Sequence, residues 1–285
     1  MRLVRYLENR APALALEVGD SLRGRPVGGD LADLPALVEA GGDALKAAEA
    51  ILRQAPVIDW DALSYAAPFP QPRKIICCGL NYKAHTEESI YDQPAHPTLF
   101  LRAATTIVPH EQPLVRPLSS DSLDYEGELV AVIGVGGRHI KAVDALAHVA
   151  GYSIFNEGSV REFQFHTPQW TLGKNFDGTG GFGPVFVTAD ELPAGGRGLQ
   201  LTTRLNGEVM QSANTDAMIF PIEEIIAAAS AAITLEPGDL IVSGTPAGIG
   251  WGREPKLTMK HGDVCEVEIE GIGTLRNPIV DERAA

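Results

Sequence analysis

Two glutamates near the middle of the chain are spaced so that they could share a metal ion. Glu126 and Glu128 lie at the start of an apolar run over residues 129–133, which is typical of a buried strand. Side chains two residues apart in an extended chain point to the same face, so the two carboxylates would converge. Like charges this close repel unless a cation or a proton lies between them. A solvated strand end is the more ordinary interpretation of such a pair, and it stays open here.

A third acid, Glu157, follows the next predicted strand over residues 151–156. Three acidic oxygen donors with no cysteine beside them suit a hard cation such as Mg²⁺ or Mn²⁺. If the chain turns helical after Glu157, Arg161 and Gln164 lie on the same helix face, at i+4 and i+7. The acids would then have a fixed cation and an amide donor beside them. A surface Glu–Arg pair is the alternative.

A histidine and a glutamate three residues apart form the second candidate group. His85 and Glu88 would share a face of a helical turn, and a carboxylate beside an imidazole suits a general base. Glu87 is the rival for the carboxylate role, and a surface histidine beside an acid is the ordinary alternative. Lys174 lies in a loop with small neighbours where a ligand could reach it, although most such lysines are merely solvated.

Two glycine-rich stretches differ in what they predict. The loop after the predicted strand 240–243 lacks the lysine and the spacing of a P-loop, but Gly244 and Thr245 could offer N–H groups and a hydroxyl to a carboxylate. The stretch 134–137 resembles a dinucleotide fingerprint only in part, because His139 takes the place of the third glycine. A tight turn explains it better.

Composition and charge exclude several classes of function. The chain has 285 residues, 45% of them hydrophobic and 21% charged, with a net charge of −14. This balance disfavours nucleic acid and acidic membrane surfaces as partners, but it permits a small anionic substrate at a bound cation. Cys77, Cys78 and Cys265 have no metal-ligand or disulfide spacing, which predicts a reducing, cytoplasmic location. No apolar stretch reaches the roughly 20 residues of a membrane span.

The pattern of elements predicts an α+β fold rich in β-strands. Residues 1–70 form a small N-terminal α/β unit with strands near 3–7 and 14–18. Asp30 and Asp43 are the predicted N-caps of helices over 31–40 and 44–54. The proline-rich stretch 68–72 separates this unit from a catalytic domain over 71–285. An Asn-Gly pair at 206–207 predicts a hairpin, and alternation predicts that Cys265 is a core residue of a strand.

Five ordered motifs together resemble the fumarylacetoacetate hydrolase family, over about residues 73 to 281. They are Gly79-Leu80-Asn81-Tyr82-x-x-His85, Tyr125-Glu126-Gly127-Glu128-Leu129, Asn156-Glu157-x-Ser159-x-Arg161-x-x-Gln164, Gln169-Trp170-Thr171-x-Gly173-Lys174-x-Phe176-Asp177 and Ser243-Gly244-Thr245-Pro246-x-Gly248-Ile249-Gly250. The resemblance implies a mixed β-roll of the fumarylacetoacetate hydrolase type, with a small leading domain, and a homodimer.

The resemblance also implies roles for individual residues. The family's metal-binding pair falls on Glu126 and Glu128, and its third metal carboxylate, usually an aspartate, falls on Glu157. Its His–Glu pair, carried on a mobile lid, falls on His85 and Glu88. The positions that match its remaining catalytic and substrate-binding residues are Gln164 and Lys174 for catalysis, and Arg161, Thr245, Gly244 and Tyr82 for substrate binding.

The activity that the resemblance implies is metal-dependent chemistry on a 2-oxo acid. The first expectation is hydrolysis of a C–C bond in 2,4-dioxo acids of the acylpyruvate type through a metal-stabilised enolate, with Mg²⁺ or Mn²⁺. His85 with Glu88 would deprotonate a water, and Gln164 and Lys174 would stabilise the oxyanion. Decarboxylation of oxaloacetate-like acids, and isomerisation of unsaturated 2-oxo diacids (2-hydroxyhepta-2,4-diene-1,7-dioate type) in aromatic catabolism, would use the same site. An inactive binding member of the family is a further alternative.

Overall fold

The N-terminal part of the chain forms strands and two helices. The computed structural model describes residues 1–89 and 91–283. The elements of this part are β1 (Arg2–Glu8), β2 (Ala11–Val18), β3 (Ser21–Pro26), α1 (Leu34–Ala40), α2 (Gly42–Leu52), β4 (Val57–Ile58) and β5 (Ser64–Tyr65). Both predicted helices exist, but both predicted caps were wrong.

Helix α1 begins after Asp33, whose carboxylate accepts from the Leu34 N–H at 2.9 Å. Residues 28 and 31 pair with each other before it, so Asp30 lies outside the helix. Helix α2 begins at Gly42, which puts Asp43 inside the first turn. A negative charge in the first turn favours a helix without capping it.

The rest of the chain is mainly strand. Its strands are β6 (Ile75–Gly79), β7 (Thr98–Arg102), β8 (Ile107–Pro109), β9 (Leu114–Arg116), β10 (Leu123–Asp124), β11 (Gly127–Ile133), β12 (Val149–Glu157), β13 (Ser159–Val160), β14 (Gly180–Thr188), β15 (Gln200–Leu205), β16 (Glu208–Asn214), β17 (Leu240–Val242), β18 (Val264–Ile269) and β19 (Gly273–Asp281). Its helices are α3 (Lys83–Glu88), α4 (Ala142–Ala145), α5 (Arg161–Gln164) and α6 (Ile222–Ala232).

One sheet of 12 strands runs through the N-terminal part and the rest of the chain. Its order is β4-β3-β2-β1-β14-β12-β11-β17-β6-β7, with β5 also paired to β1 and β8 to β14. Strand β1 pairs antiparallel with β14, so that Leu3 lies opposite Phe186. The N-terminal strands therefore extend the sheet that carries the candidate site. A division into two domains at residue 70 stays a prediction.

Strand β11 lies near the middle of this sheet and is buried along its whole length. Leu129, Ala131 and Ile133 belong to the core on one face, and Val130 and Val132 belong to the core on the other. Helix α6 covers the first face, together with residues of a second sheet, and α1 and α2 cover the second face. Burial of both faces explains why β11 reads as an unbroken apolar run.

The second sheet has five strands in the order β16-β15-β18-β19-β9. The hairpin predicted at 206–207 joins β15 to β16, with Asn206 at φ 53° and Gly207 at φ 83°. These two left-handed residues make the tight turn that Asn-Gly favours. Cys265 on β18 is buried, as the alternating pattern predicts, and Cys77 and Cys78 are also buried and unpaired. No helix within residues 1–89 and 91–283 has the length and apolar composition needed to cross a membrane.

Candidate active site

Antiparallel pairing of β11 with β12 brings the three glutamates together. Gly127 lies opposite Asn156, and the Glu157 N–H donates to the Glu126 carbonyl at 2.8 Å. One oxygen from each of Glu126, Glu128 and Glu157 can be chosen so that all three lie within 4.8 Å of one another. These three residues, called the carboxylate cluster below, are 1–3% exposed. The convergence expected from the i, i+2 spacing is present.

Three buried cations surround the carboxylate cluster. Lys174 Nζ bridges Glu126 Oε2 at 2.5 Å and Glu157 Oε2 at 2.8 Å. Arg161 Nη1 lies 2.6 Å from Glu126 Oε1. Arg102 Nη1 lies 3.8 Å from Glu157 Oε1 and donates to the Gly158 carbonyl. Buried charges require partners of this kind because solvent cannot screen them.

The carboxylates of the cluster differ in electrostatic environment. Burial opposes ionisation of Glu126, but Arg161 and Lys174 outweigh it and hold its pKa well below the ordinary range. Glu128 has the opposite shift: burial raises its pKa, and the charges of Glu157 and Glu126 raise it further. Its Oε2 accepts from the Gly244 N–H at 2.5 Å. Glu128 is thus the member of the cluster that most needs a proton or a cation.

The donor set fits a hard divalent cation. Glu157 Oε1 is buried and accepts no hydrogen bond from the residues that the structure describes. A buried carboxylate oxygen without a hydrogen bond is costly in the protein interior even with Arg102 nearby, and a bound cation would relieve that cost. The cluster supplies carboxylate oxygens alone, the donors that Mg²⁺ and Mn²⁺ prefer. Glu126, Glu128 and Glu157 are therefore the residues that would hold the ion.

Lys174 keeps its proton in this environment. Burial lowers the pKa of a lysine, but the charges of Glu126 and Glu157 outweigh that effect and raise the pKa of Lys174. The ammonium group also lies 5.3 Å from the centre of the Phe100 ring. Lys174 is suited to hold negative charge in the site and unsuited to act as a base.

The helix α3 carries the His–Glu pair over the cluster. His85 Nδ1 lies 2.9 Å from Glu88 Oε1, and the Glu88 carboxylate also accepts from the Gly248 N–H at 2.9 Å. Glu87 is exposed and lies 3.7 Å from Lys83, so the structure selects Glu88 rather than Glu87 as the partner of the histidine. Because an ionised carboxylate can only accept, this contact assigns the proton to Nδ1, and Nε2 is then the nitrogen that carries the lone pair of the neutral ring.

The segment after Glu157 does not form the helix face considered for Arg161 and Gln164. Glu157 ends the strand β12, and only the four residues of α5 are helical. The prediction that one helix face carries all three was wrong, because strand pairing continues to Glu157 and β13 intervenes. Arg161 and Gln164 are nevertheless adjacent, with Arg161 Nη1 donating to Gln164 Oε1 at 2.9 Å.

Arg161 is held by a residue for which the sequence analysis assigned no role. The Asp124 carboxylate accepts from Arg161 Nε at 2.9 Å and from the N–H groups of Gly250 and Trp251, each at 2.9 Å. Asp124 is fully buried, which raises the pKa of its carboxyl although Arg161 opposes that rise. Asp124 therefore fixes Arg161 against the loop 244–251.

The other predicted substrate-binding residues are placed in different ways. Thr245 lines the cavity above the cluster, and its hydroxyl donates to the Gly127 carbonyl at 3.0 Å. Gly244 acts through its N–H on Glu128. Tyr82 is 2% exposed, packs in the hydrophobic core and is not among the described residues that line the cavity. The structure thus brings Thr245 to the site but not the Tyr82 side chain.

The cavity beside the cluster, called the inner cavity below, is small. It offers about 40 Å³ and has His85, Gln164, Arg161, Lys174 and Thr245 in its wall with the three glutamates. Three residues near the site had no role predicted from the sequence: Arg102, Asp124 and Gln211. The Gln211 amide donates to the Thr245 hydroxyl at 2.8 Å. Of these three residues, only Arg102 could have been identified from the sequence. It lies in an apolar strand, and an arginine buried there requires a partner for its charge.

Fold and site together define a class of protein that is rich in β-strands and has a buried carboxylate cluster, able to hold a metal ion, beside a histidine. The particular family follows from sequence: residues 74–280 match the family model for the fumarylacetoacetate (FAA) hydrolase C-terminal region. This match covers more than half of the chain. The chain belongs to the fumarylacetoacetate hydrolase family, which confirms the resemblance and the predicted fold.

Individual relatives resemble nearly the whole chain. The rat protein "Oxaloacetate tautomerase Fahd2a, mitochondrial" is 38% identical, over 98% of this chain and 92% of its own length. A fumarylacetoacetate hydrolase from Exiguobacterium antarcticum has a TM-score of 0.85 at 33% identity, covering 99% of this chain and 100% of its own. A 5-carboxymethyl-2-hydroxymuconate delta-isomerase from Mycobacterium smegmatis has a TM-score of 0.79 at 29% identity, with 100% of both chains covered.

Proposed function

We propose that this protein is a metal-dependent tautomerase of oxaloacetate-like 2-oxo acids, which moves a proton between C3 and the oxygen on C2. The observation that carries the proposal is His85, which contacts Glu88 through Nδ1 and lines the same small cavity as the carboxylate cluster. The rat relative, a tautomerase by name, and the mycobacterial isomerase support a proton transfer without bond cleavage. C–C hydrolysis becomes the second candidate.

The residues of the chain divide the chemistry between them. A divalent cation held by Glu126, Glu128 and Glu157 would supply Lewis-acid stabilisation of negative charge on a 2-oxo acid. His85 Nε2 takes the proton from C3 and returns one to the C2 oxygen, so no water is consumed and nothing is oxidised. Glu88 keeps the imidazole in the tautomer with a free Nε2 lone pair.

Two positively charged side chains, Lys174 and Arg161, complete this assignment. The Lys174 ammonium, which its carboxylate neighbours keep protonated, donates to an oxygen of the substrate or its enolate. Arg161 is held at Asp124 and Glu126, so it contributes a fixed positive charge to the wall of the cavity. Mg²⁺ is the proposed ion and Mn²⁺ the alternative, since both take carboxylate oxygens.

Hydrolysis is favoured by a separate observation. Gln164 lines the inner cavity beside Lys174, where an amide and an ammonium could stabilise the oxyanion that follows attack of a water. The hydrolase from Exiguobacterium antarcticum supports this candidate. Hydrolysis requires a water beside the substrate and space for a departing acyl group, neither of which the proton transfer needs.

The experiment supplies oxaloacetate and acetylpyruvate to the purified protein with Mg²⁺, with Mn²⁺ and with a chelator. We expect the metal to accelerate keto–enol exchange, which is monitored by the absorbance of the enol. We expect no CO₂ from oxaloacetate and no acetate from acetylpyruvate. His85→Ala should slow exchange by about 100-fold or more, since general base catalysis contributes about 10²–10⁴. Metal-dependent release of acetate and pyruvate without faster exchange would replace the proposal by hydrolysis, and CO₂ release would replace it by decarboxylation.

A further inference from the structure

Three side chains separate the inner cavity from a larger one. Leu80, Tyr91 and Trp170 line both the inner cavity, of about 40 Å³, and an outer cavity of about 320 Å³. The outer cavity continues along Leu99 and Phe100 of β7. A wall shared by two cavities fixes how far a ligand bound at the carboxylate cluster can extend.

The aromatic part of this wall has definite packing. Trp170 Nε1 donates to the Tyr91 hydroxyl at 3.0 Å, and the two ring centres lie 5.5 Å apart. Phe100 packs edge-on against the indole, also with ring centres 5.5 Å apart. A Cβ atom at Gly79 would lie 2.3 Å from Trp170 Cζ3. The indole therefore occupies space that the absence of a side chain at Gly79 leaves open.

The two cavities differ in charge. The inner cavity is lined by several ionisable groups, whereas Asp92 is the one acidic residue among the described residues that line the outer cavity, and no lysine or arginine lines it. The remaining lining includes Pro94, Leu99 and Trp170. An uncharged tail suits such a surface, and a terminal carboxylate would meet the like charge of Asp92.

We infer that Trp170 and Tyr91 are specificity-determining residues, which restrict the site to short 2-oxo acids. With the wall in place, the site takes a short 2-oxo acid and excludes a longer acyl tail. With the wall removed, the outer cavity accepts an uncharged tail. The inference rests on the proposed function, because it names the size class of substrate for that same site.

The test measures keto–enol exchange with two substrates of different length, oxaloacetate and 2,4-dioxooctanoate, in the Mg²⁺-loaded protein. Trp170→Ala should raise the ratio of kcat/KM for the long over the short substrate by roughly tenfold or more, the scale of hydrophobic-pocket discrimination. The dianionic analogue with a terminal carboxylate should gain less. Trp170→Phe, which keeps a ring in the wall, should stay near wild type.

Two further variants keep the result interpretable. Leu172 is 62% exposed and lines neither cavity, so Leu172→Ala is the matched control and should leave the ratio unchanged. Tyr91→Ala opens the wall from its other side and should raise the ratio even if Trp170→Ala fails to fold. An unchanged ratio in a folded, active Trp170→Ala or Tyr91→Ala variant overturns the inference alone. No exchange of oxaloacetate by the wild-type protein overturns the proposed function instead.

Discussion

The carboxylate cluster and His85 line the same cavity, but the chain holds the cluster and the His85–Glu88 pair by different means. Two members of the cluster, Glu128 and Glu157, lie on the paired strands β11 and β12 at the centre of a 12-stranded sheet, and Glu126 immediately precedes β11. The pair lies on α3, a helix of six residues, and the Glu88 carboxylate reaches the rest of the fold through the Gly248 N–H. The proposed ligands of the ion are thus held by the sheet, while the placement of His85, the proposed base, depends on one short segment.

This difference predicts that the two functions of the site can be separated. A change in the sheet should affect the ion and therefore all activity, whereas a change in α3 should affect turnover and leave ion binding intact. Side chains held on packed strands keep their geometry when a neighbouring loop moves, because the strand hydrogen bonds and the core fix their backbone.

The largest effect is expected for Glu126→Gln. Loss of one carboxylate ligand should weaken Mg²⁺ or Mn²⁺ binding by about 100-fold or more and abolish metal-dependent exchange with it. Isothermal titration with each metal measures the affinity. Thermal denaturation must accompany it, because Arg161 and Lys174 each lose a charged partner in this variant.

Glu268→Gln is the matched control for that change. Glu268 is exposed on β18 and pairs with Arg204 at 2.6 Å, a surface ion pair worth less than about 1 kcal/mol. The Glu268→Gln variant should bind metal with the affinity of the wild type. Undiminished metal affinity in folded Glu126→Gln would remove Glu126 from the ligand set.

An intermediate effect is expected for Glu88→Gln. The amide weakens both the orientation of His85 and the contact with the Gly248 N–H, so kcat should fall roughly 10- to 100-fold while metal affinity stays within about twofold. The measurements are steady-state exchange kinetics and metal titration on the same preparation.

Glu87→Gln tests whether position on α3 alone matters. Glu87 is the neighbour of Glu88 on the helix, but it contacts neither His85 nor the wall of the inner cavity. Its replacement should therefore leave kcat unchanged. Equal losses in the two variants would mean that charge on α3, rather than the contacts of Glu88, supports activity.

The smallest effect concerns the proton that the protein releases when the ion binds. Burial and the neighbouring carboxylates raise the pKa of Glu128, so the metal-free protein holds a proton there more readily than an ordinary glutamate does. The cation must displace that proton, so apparent metal affinity should rise with pH, by at most about tenfold per unit for one proton. Titration in two buffers of different ionisation enthalpy counts the protons released.

The two regions should again differ in this measurement. Glu128→Gln should abolish the proton release attributed to that residue, and Glu88→Gln should release as many protons as the wild type. If both variants release fewer protons, the helix α3 and the cluster titrate together, and the separation of the two regions fails.

Contacts between residues close in sequence were predictable, whereas contacts between residues far apart in sequence were not. Alternation along one strand sufficed to predict that Glu126 and Glu128 converge, because that geometry is local. The approach of Glu157 depends on the register of β11 against β12, which no local pattern specifies. Glu157 entered the prediction as a third acid at the end of the next predicted strand, and the resemblance then assigned it to the third metal carboxylate.

Residues that act through distant partners were missed or misplaced. Asp124 contacts Arg161 and the N–H groups of Gly250 and Trp251, more than a hundred residues further on, so its role required the folded chain. Tyr82 was assigned to substrate binding by its motif, yet its ring packs in the core. The strands of the fold were predicted well because buried apolar runs and an Asn-Gly turn are local signals.

The bridge that Lys174 makes between Glu126 and Glu157 has a consequence for how the protein is produced. Small zinc domains stay unfolded until their metal arrives, because metal binding supplies the free energy that folds them. Here an ammonium group already offsets two of the acids, so the chain can complete its folding in a metal-poor cell. The proposed ion would then be a late and exchangeable component, and we expect the metal recovered with the purified protein to reflect the growth medium.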